Sequence, residues 1–463
     1  MADAASQSQQ SIAFIAEVTR GTTPTTPGYT YNRIRQGSTF SVNKQFEQST
    51  EIRSDREPGA RIGGVSSWEG TINSFLVRET YLEQLLKGLL SSDYAAVSPG
   101  AITGDWAASG KTFTRASGSF TSQSAANRLE VGDLLFAAGT ANNQTQLNGA
   151  VGSTTATSLT VDTVDATTVI PSTGAYIKVD SEIMKCTART ATTLTVVRGA
   201  CGTTAATHLD NAPVLIGRII TGITGTVLTF ADASIVNESA ISTTFTTTTR
   251  VIVPSTTRYF GTFEQHFADI ALYEIFKGGE VNTAQFNMPT SGEVTLDFTL
   301  LGTRYATGQV ASSTYTAAAG RTPFAASVSG SSLTIDGSAP TACITSLQFS
   351  VNNNRAVRFG VGEQYGCFVE EGTRQIEGTM GLYLVDGYNQ TLFQAETRSR
   401  LVVTAVSADG DEYDVVIPRL LITGLPRQVD GQSFVENASF AAEYDSTALT
   451  AFYLRSRIIS TVS

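Results

Sequence analysis

Alternating apolar and polar positions dominate the start of the chain and predict β-strands over residues 12–18, 31–46 and 67–77. After the third strand the period changes, because apolar side chains recur every three or four residues from Tyr81 to Leu90. That spacing is typical of a helix with one buried face. The pattern therefore predicts a unit of strand, loop, strand and helix.

Much of this pattern returns about 309 residues later. Phe-Ser-Val-Asn at 40–43 recurs at 349–352, Glu-Gly-Thr at 69–71 recurs at 377–379, and Leu-Val at 76–77 recurs at 384–385. A second helical stripe follows at Tyr388, Leu392 and Ala395. Since three anchors keep nearly one offset, we interpret the chain as an internal duplication of one supersecondary unit.

The first copy is interrupted by a segment of different texture. Between residues 99 and 249 the chain has short β segments broken by Gly, Asn, Ser and Thr, which predicts small inserted β units at about 110–168 and 170–217. The first copy resumes near residue 258, where apolar residues from Phe267 to Phe276 (Phe267, Ile270, Tyr273, Phe276) predict a short helix before two glycines.

These patterns predict four segments. A first domain comprises residues 1–98 plus 250–303, and the inserted β units occupy 99–249. An Ala-, Ser-, Thr- and Gly-rich linker covers 304–340, and a second domain covers 341–463.

Composition agrees with a mainly β protein. Apolar residues make up 41% of the chain and charged residues only 16%, and Thr-, Ser-, Gly- and Val-rich runs favour strands and turns. The net charge of -10 argues against a protein that reads nucleic-acid sequence, since such proteins concentrate Lys and Arg. We expect no signal peptide at residues 1–10 and no membrane insertion, because no apolar run is long enough to cross a bilayer.

Candidate catalytic chemistry is sparse. The chain has two histidines, His208 and His266, and it lacks a GxSxG elbow and a P-loop motif. The glycine-rich residues 360–366 lack the spacing and the βαβ context of a phosphate loop, so we interpret them as a turn. We therefore expect no enzymatic activity and no cofactor.

The four cysteines leave two alternatives open. Cys186 and Cys201 could join His208 in a zinc site, but there is no CxxC knuckle or evident fourth ligand, so we favour buried small residues there. Cys186 with Cys201, or Cys343 with Cys367, could also be strand neighbours that form a disulfide.

The most unusual local sequence is a charged loop between the second and third strands. It places both signs of charge within seven residues, at Glu51, Arg53, Asp55, Arg56 and Glu57. Charge-assisted pairs can join neighbouring chains, so we predict an assembly loop. A loop that forms salt bridges within its own chain is the alternative.

This loop, the Trp-Glu-Gly-Thr-Ile segment at 68–72 and the following helix resemble the tail tube (major tail) proteins of long, flexible-tailed bacteriophages. The second copy is similar over 346–353, 376–385 and 401–418. Within the insertion, Glu182, Arg198-Gly199 and His208 resemble a small β module of several phage tail and baseplate proteins. The second copy has Phe-Gly-Val-Gly-Glu at 359–363 in place of the charged loop, so we expect the copies to make different contacts.

The resemblance implies two β-sandwich or barrel domains of tail-tube type, each with a flanking helix, plus small inserted β domains on the tube exterior. It implies a structural virion protein that forms stacked rings around the conduit for DNA ejection. Three chains would then close a pseudo-hexameric ring. The implied partners are other copies of the chain, a tape-measure protein, a tail terminator and distal tail proteins, with transient, non-specific passage of DNA. Its place would be the phage tail, after assembly in the host cytoplasm.

Charge is unevenly distributed between the insertion and the duplicated module. Residues 99–249 contain 10 acidic and eight basic residues, so most of the negative excess lies in the module. An acidic bore would repel the phosphate backbone and let DNA slide.

Two other functions remain open at this point. A surface adhesin or carbohydrate-binding protein is the main alternative, because Thr- and Gly-rich β modules also serve there. An export signal would favour it. A tail-associated glycosidase with two carboxylates is the second alternative and would need a deep acidic pocket.

Overall fold

A computed structural model of the chain describes residues 5–26, 28–52, 54, 57, 59–139, 144–162, 170, 174–231, 235, 237–308 and 314–458. Strands predominate in it and two α-helices are present among these residues, so the predicted mainly β fold is confirmed. The chain divides into two compact units. The first comprises Met1–Asp93, Pro254–Leu401 and Arg419–Glu443, and the second comprises Tyr94–Val253, Val402–Pro418 and Tyr444–Ser463.

The elements are numbered in chain order. The helices are α1 (Thr80–Leu90) and α2 (Tyr388–Gln394). The strands up to the end of the predicted insertion are β1 (Gln10–Glu17), β2 (Tyr29–Tyr31), β3 (Thr39–Gln48), β4 (Arg61–Phe75), β5 (Ala95–Ala96), β6 (Gly100–Ala107), β7 (Thr112–Arg115), β8 (Leu134–Ala138), β9 (Gln144–Gln146), β10 (Ser158–Thr160), β11 (Tyr176–Val179), β12 (Glu182–Arg189), β13 (Thr193–Val197), β14 (Pro213–Thr224), β15 (Val227–Phe230) and β16 (Glu238–Thr247).

The remaining strands follow the predicted insertion. They are β17 (Arg250–Ile252), β18 (Phe260–Phe267), β19 (Leu272–Pro289), β20 (Thr295–Gly302), β21 (Arg304–Thr307), β22 (Tyr315–Thr316), β23 (Phe324–Ala325), β24 (Ser332–Ile335), β25 (Ile344–Asn352), β26 (Ala356–Arg358), β27 (Phe368–Glu370), β28 (Gln375–Tyr383), β29 (Arg398–Ser407), β30 (Glu412–Gly424), β31 (Arg427–Asp430), β32 (Ser433–Ala442) and β33 (Tyr453–Arg457).

Both helices lie where the sequence predicts them. Along α1 the apolar stripe is buried from Tyr81 to Leu90, and the helix ends at Ser91, whose left-handed backbone lets its N–H donate to the Lys87 carbonyl. The shorter α2 buries Leu392, one of the three residues of the predicted second stripe. Each helix follows a long strand, β4 or β28, after a few residues.

Eight strands of the first unit form one continuous antiparallel sheet. β3 pairs with β4, β4 with β20, and β20 with β19; we call these four the first strand set. β25 pairs with β28, β28 with β32, and β32 with the last part of β30; these are the second strand set. β19 pairs with β25 and joins the two sets.

The strands of this sheet alternate between buried and exposed side chains over much of their length, so that one face of the sheet is buried. Most of the buried side chains are apolar, and they include Trp68, Ile72, Phe298, Phe349 and Phe440. The indole Nε1 of Trp68 donates to the Lys277 carbonyl at 2.9 Å, so its one polar atom is satisfied. The register of the whole sheet is therefore fixed by burial of one face.

The helix predicted over residues 267–276 is wrong. β18 ends at Phe267 and β19 begins at Leu272, and the residues between them form a tight turn with Ala271 at φ 51°. The apolar spacing there is accidental, because Ile270 and Leu272 are exposed rather than packed. The two strands pair from Phe267↔Leu272 onward as a β-hairpin.

The second unit has separate apolar cores. One core includes Trp106, Phe113, Phe120 and Phe230, and it also contains Tyr453 near the carboxyl end. Another core packs residues of 147–161 with residues of 170–216. A buried ionic cluster lies in the same unit, where Arg455 Nη2 donates to Asp133 Oδ2 at 2.6 Å.

The segment predicted as a linker, 304–340, contains the four short strands β21–β24 in its described part. The backbone N–H of Phe324 donates to the Leu76 carbonyl at 2.9 Å, and the Phe324 side chain is buried. This segment therefore packs against the end of β4.

Candidate functional site

The junction between the two strand sets is the first feature of the candidate site. β19 and β25 pair from Thr283↔Asn352 to Pro289↔Ser346 without interruption. We call this run of pairs the seam. At its middle the rings of Phe286 and Phe349 stack with their centroids 4.4 Å apart. The seam shows how one strand set is continued by another.

The two strand sets pair in the same register. Phe40 lies opposite Gly70 in the first set, and Phe349 lies opposite Gly378 in the second. A Cβ on Gly70 would come 2.1 Å from the Phe40 ring, and one on Gly378 would come 2.6 Å from Phe349 Cβ. Glycine is therefore required at position 70 by the ring of Phe40, and at position 378 by the Gln348 carbonyl, the Phe349 Cβ and the ring of Phe440.

The sets also share a β-bulge. The β19–β20 register shifts between Val281 and Thr283, and the β30–β32 register shifts between Ile422 and Gly424. Each bulge inserts one extra residue, Asn282 in the first set and Thr423 in the second. Ile422 and Gly424 of β30 thus occupy the places that Val281 and Thr283 occupy in β19.

The two ends of this eight-stranded sheet are β3 and the last part of β30, a strand that also pairs with β29. In the described part of the chain, the residue pairings of β3 are all with β4, and nine of its ten residues are exposed. The other end is the Leu420–Gly424 stretch of β30, where Thr423 is exposed. Pro426 does not block this edge, since its carbonyl accepts from the Asn437 N–H of β32 and thus faces inward.

The exposed face of the sheet is polar and carries acidic groups. Its side chains are mostly Ser, Thr, Asn and Gln, and its carboxylates are those of Glu69, Asp297 and Glu377. The strands contribute to this face Thr39, Ser41, Asn43, Glu69, Thr71, Asn73, Asp297, Thr299, Thr283, Gln285, Asn287, Ser346, Gln348, Ser350, Asn352, Gln375, Glu377, Thr379, Asn437 and Ser439. No lysine or arginine stands at these twenty described positions.

The three carboxylates differ in their surroundings. Burial raises the pKa of Asp297, although the Arg35 guanidinium, 2.9 Å away, acts in the opposite direction. Glu69 accepts a hydrogen bond from the Asn43 amide at 3.1 Å. Glu69 and Glu377 hold equivalent places, because each stands one residue before the glycine that pairs with Phe40 or Phe349.

The predicted assembly loop lies at the tip of the β3–β4 hairpin. Glu51 and Glu57 are exposed there, whereas Arg53, Asp55 and Arg56 lie outside the described residues. The predicted role of the loop stays a prediction. Below the tip, residues 44–48 pair with residues 61–66 as a two-stranded extension of the sheet, which we call the arm.

The motif in the insertion forms a buried ion cluster. Arg198 donates twice to the carboxylate of Glu182, each time at 2.7 Å, and the Gly199 and Ala206 N–H groups donate to the same carboxylate. His208 contacts it through Nε2 at 2.9 Å. Burial alone would raise the pKa of Glu182, but the hydrogen bonds outweigh it and lower that pKa to about 2. This motif is thus a structural core of the small β unit.

The structure bears on the two candidate roles of the cysteines, a disulfide and a metal site. Cys186, Cys201, Cys343 and Cys367 are all free thiols, so neither candidate disulfide forms. Among the described residues, no group of three or more His, Cys, Asp or Glu side chains is arranged to hold a metal ion. In that part of the chain, no helix is both long and apolar enough to cross a membrane.

Comparison with known protein families identifies the family to which this chain belongs. The family model described as phage tail tube protein matches residues 7–443, which is nearly the whole chain. The chain belongs to the phage tail tube family. No curated protein matches it. The family indicates a structural role in the virion tail, and the polar face and open edges of the sheet are the features of this tail tube protein that bear on assembly.

Several residues of the site carry no signal in the sequence. Asn353 and Arg355 follow β25 and hold the end of α1: the Asn353 amide donates to the Leu89 carbonyl at 2.8 Å, and Arg355 Nη1 donates to the Gly88 carbonyl at 3.2 Å. The second strand set thus caps the helix that follows the first. Only the repeat, which predicts that β25 takes the place of β3, points to these residues.

Proposed function

We propose that this tail tube protein forms rings in which the seam between its two strand sets is repeated between chains. The two sets arise by duplication of one tail tube fold, so three chains supply six folds and close a pseudo-hexameric ring. The β19–β25 seam carries this proposal, because it joins two sets of equal register edge to edge. Ring closure would leave neither β3 nor the last part of β30 as an unpaired edge, and unpaired edges otherwise promote aggregation.

The seam supplies the register of the contact between chains. In the contact between chains, Gly424 of β30 holds the place that Thr283 holds in the seam, and Asn43 of β3 holds the place of Asn352. Gly424 of one chain therefore faces Asn43 of the next. Leu425 then faces Val42, as Ala284 faces Val351 within the chain. The bulge residue Thr423 precedes Gly424 and corresponds to Asn282, whose carbonyl accepts a hydrogen bond from the Asn353 N–H in the seam.

The polar face of the sheet lines the bore in this ring. Glu69 and Glu377 then alternate around the ring at one height, giving six carboxylates from three chains. None of the twenty described positions of this face is a lysine or an arginine, which supports the proposal, since a net negative charge repels DNA phosphates; Asp297 is paired with Arg35, which comes from outside these positions. DNA passes through without being held.

This arrangement also suggests a position in the tail for each remaining part of the chain. The two tail tube domains comprise 1–98 with 250–303 and 341–463, joined by 304–340, and the inserted units of 99–249 lie outside the wall because a uniform bore has no room for them. The rings stack into the tube of a long, flexible tail, with a tape-measure protein inside it and terminator and distal tail proteins at its ends. The role is structural and involves no catalysis.

Native mass spectrometry of assembled rings tests the stoichiometry. We expect three chains in each ring, and tubes dissociated gently should release multiples of three. A ring of six chains would contradict the duplication, because it would contain twelve tube folds. The charge-matched variants described below test the bore separately.

A further inference from the structure

The two helices end in different surroundings, although each follows an equivalent strand. Leu86 stands five residues after Tyr81 in α1 and is 0% exposed. Phe393 stands five residues after Tyr388 in α2 and is 39% exposed, and all residues from 394 to 398 are exposed as well. An apolar helix end that is buried in one copy of a fold and exposed in the other indicates a surface that a partner covers.

The end of α1 is held by the chain that continues β25 across the seam. The Asn353 amide donates to the Leu89 carbonyl at 2.8 Å, and Arg355 Nη1 donates to the Gly88 carbonyl at 3.2 Å. Both donor side chains are buried. The last carbonyls of a helix have no partner within it, so these two side chains satisfy groups that α1 cannot satisfy by itself.

The end of α2 has no such donors. The chain leaves the helix at Glu396, whose φ of 49° is left-handed, and the Thr397 N–H donates back to the Leu392 carbonyl at 2.9 Å. Among the described residues, no donor contacts the carbonyls of Gln394 and Ala395. These two carbonyls are therefore open to a donor from another chain.

The end of α2 lies beside the free edge of β30. Arg398, which follows the helix, and Arg419 of β30 both contact the carboxylate of Glu443, at 3.2 Å and 2.9 Å. Arg419 directly precedes the Leu420–Gly424 stretch, which is the edge that meets β3 of the next chain in the proposed ring. A side chain that continues β3 is thus placed to reach α2, as Asn353 reaches α1.

β3 supplies suitable side chains for this contact. Val42 corresponds to Val351, which is buried in the seam, and Lys44 corresponds to Asn353. Phe46 stands two residues further and is 59% exposed. Because side chains alternate along a strand, all three lie on the side of β3 opposite the polar face. The Lys44 ammonium lies 5.4 Å from the centre of the Phe46 ring, so these two side chains project together.

We propose that Lys44 and Phe46 of one chain hold the end of α2 in the next chain of the same ring. The Lys44 ammonium donates to the open carbonyls of Gln394 and Ala395, where the helix dipole favours a cation. The Phe46 ring covers Phe393. This inference rests on the proposed function, since it requires β3 to meet β30 of another chain, and it adds a helix contact to the strand pairing.

Disulfide cross-linking tests this contact in rings that native mass spectrometry shows to contain three chains. Lys44→Cys and Ala395→Cys are introduced together into the full chain, with the exposed Cys343 and Cys367 replaced by Ser. Oxidised rings should give covalent dimers and trimers on a non-reducing gel and no larger product, because three chains close the ring. Products of more than three chains would overturn the proposal, since they would join different rings.

A matched pair controls for chance collision. Lys44→Cys with Leu209→Cys uses an exposed site in the insertion and should give several times less product than the pair with Ala395→Cys. Equal yields from the two pairs would overturn the proposal.

Hydrogen exchange of the wild-type protein is a second test that needs no substitution. Amides of residues 394–398 should exchange several times more slowly in rings than in the free chain, whereas the turn at Gly110 in the insertion should exchange equally in both. Equal exchange of residues 394–398 in the two states would also overturn the proposal.

A pair of phenylalanine variants measures the contribution of the contact to assembly. Phe46→Ser should raise the chain concentration needed for rings roughly five-fold or more, because it removes an aromatic side chain from the interface. Phe368→Ser, at a similarly exposed phenylalanine outside the contact, should leave it unchanged. Equal effects of the two variants would contradict the contact. Wild-type chains that form no rings would overturn the proposed function, and this inference with it.

Discussion

The ring of Phe40 lies against the Cα of Gly70, so closely that a Cβ on the glycine would come 2.1 Å from the ring. Phe349 pairs with Gly378 at the same place in the second strand set, where a Cβ on the glycine would come 2.6 Å from Phe349 Cβ and 2.6 Å from the ring of Phe440. Side chains alternate with a period of two along a strand, so a slip of one residue would turn each ring to the solvent. These two pairs therefore fix the same register in both sets.

Alanine at these glycines should destabilise the fold. Gly70→Ala and Gly378→Ala should each lower the free energy of unfolding by about 1–3 kcal/mol, because the added methyl group forces the aromatic ring or the strand to move. Gly152→Ala is the matched control, since nothing lies within 4 Å of its Cβ position and it should change stability by less than about 0.5 kcal/mol. Denaturant unfolding measures all three, and equal effects at Gly70 and Gly152 would contradict the packing.

Proline at the β3 edge should block ring closure without unfolding the chain. The Asn353 N–H donates across the seam, and N–H directions alternate along a strand, so Val351 also donates across it. Val42 holds the place of Val351 and should donate to the next chain. Val42→Pro removes that donor at an edge where proline is tolerated.

Light scattering and negative-stain images measure this effect on assembly. Val42→Pro should abolish rings while its thermal unfolding midpoint stays close to that of the wild type, and Val42→Thr, which keeps the N–H, should assemble normally. Normal rings from Val42→Pro would show that β3 does not pair with another chain.

Reversed charge on the exposed face should make the bore hold DNA. Glu69→Lys with Glu377→Lys replaces six carboxylates by six ammonium groups in a ring of three chains. Double-stranded DNA should then bind to open tubes roughly ten-fold or more tightly at low salt, and the gain should vanish as salt rises. Glu363→Lys, an exposed site on a loop outside the sheet, is the control for Glu69→Lys alone, since these two single variants make the same charge change. Unchanged binding would place this face away from the bore.

Acid should weaken the inserted β unit through Glu182. The pKa of this carboxyl is about 2 in the fold, below its ordinary value of 4.5, so its stabilising effect is fully present above pH 4.5 and is lost as the pH falls toward 2. Glu182→Gln should therefore be less stable than the wild type at pH 6, by about 3–5 kcal/mol, because Arg198 and His208 lose their buried partner.

The difference between the two proteins should shrink steadily between pH 4.5 and pH 2. Unfolding of wild type and Glu182→Gln, followed by circular dichroism across that range, measures it. A difference that is independent of pH would mean that the Glu182 charge contributes nothing to the fold.

The sequence predicts the sheet better than it predicts the turns. The repeat at residues 40–43 and 349–352 predicts two sets of strands, and their equal registers follow from the aromatic and glycine residues in each. The helix predicted at Phe267 to Phe276 fails, because spacing of three residues across a hairpin turn imitates a helical stripe. A left-handed residue such as Ala271 gives no warning, since its side chain is not one that favours this conformation.

The exposure of Leu384 and Val385 before α2, where Leu76 and Val77 are buried before α1, could not be predicted at all. Leu-Val occurs before both helices, and nothing in the dipeptide shows that Phe324 covers only the first. Burial of these residues depends on contacts from a distant segment of the chain. The same holds for Arg355, whose role at the end of α1 depends on the seam between the strand sets.

A cryo-electron microscopy reconstruction of assembled tubes tests the central claim most directly. The account predicts rings of three chains whose β wall is continuous, with Gly424 of one chain facing Asn43 of the next and with Glu69 and Glu377 alternating around the bore. A ring in which β3 and β30 remain apart, or in which the exposed face of the sheet points outward, would contradict it.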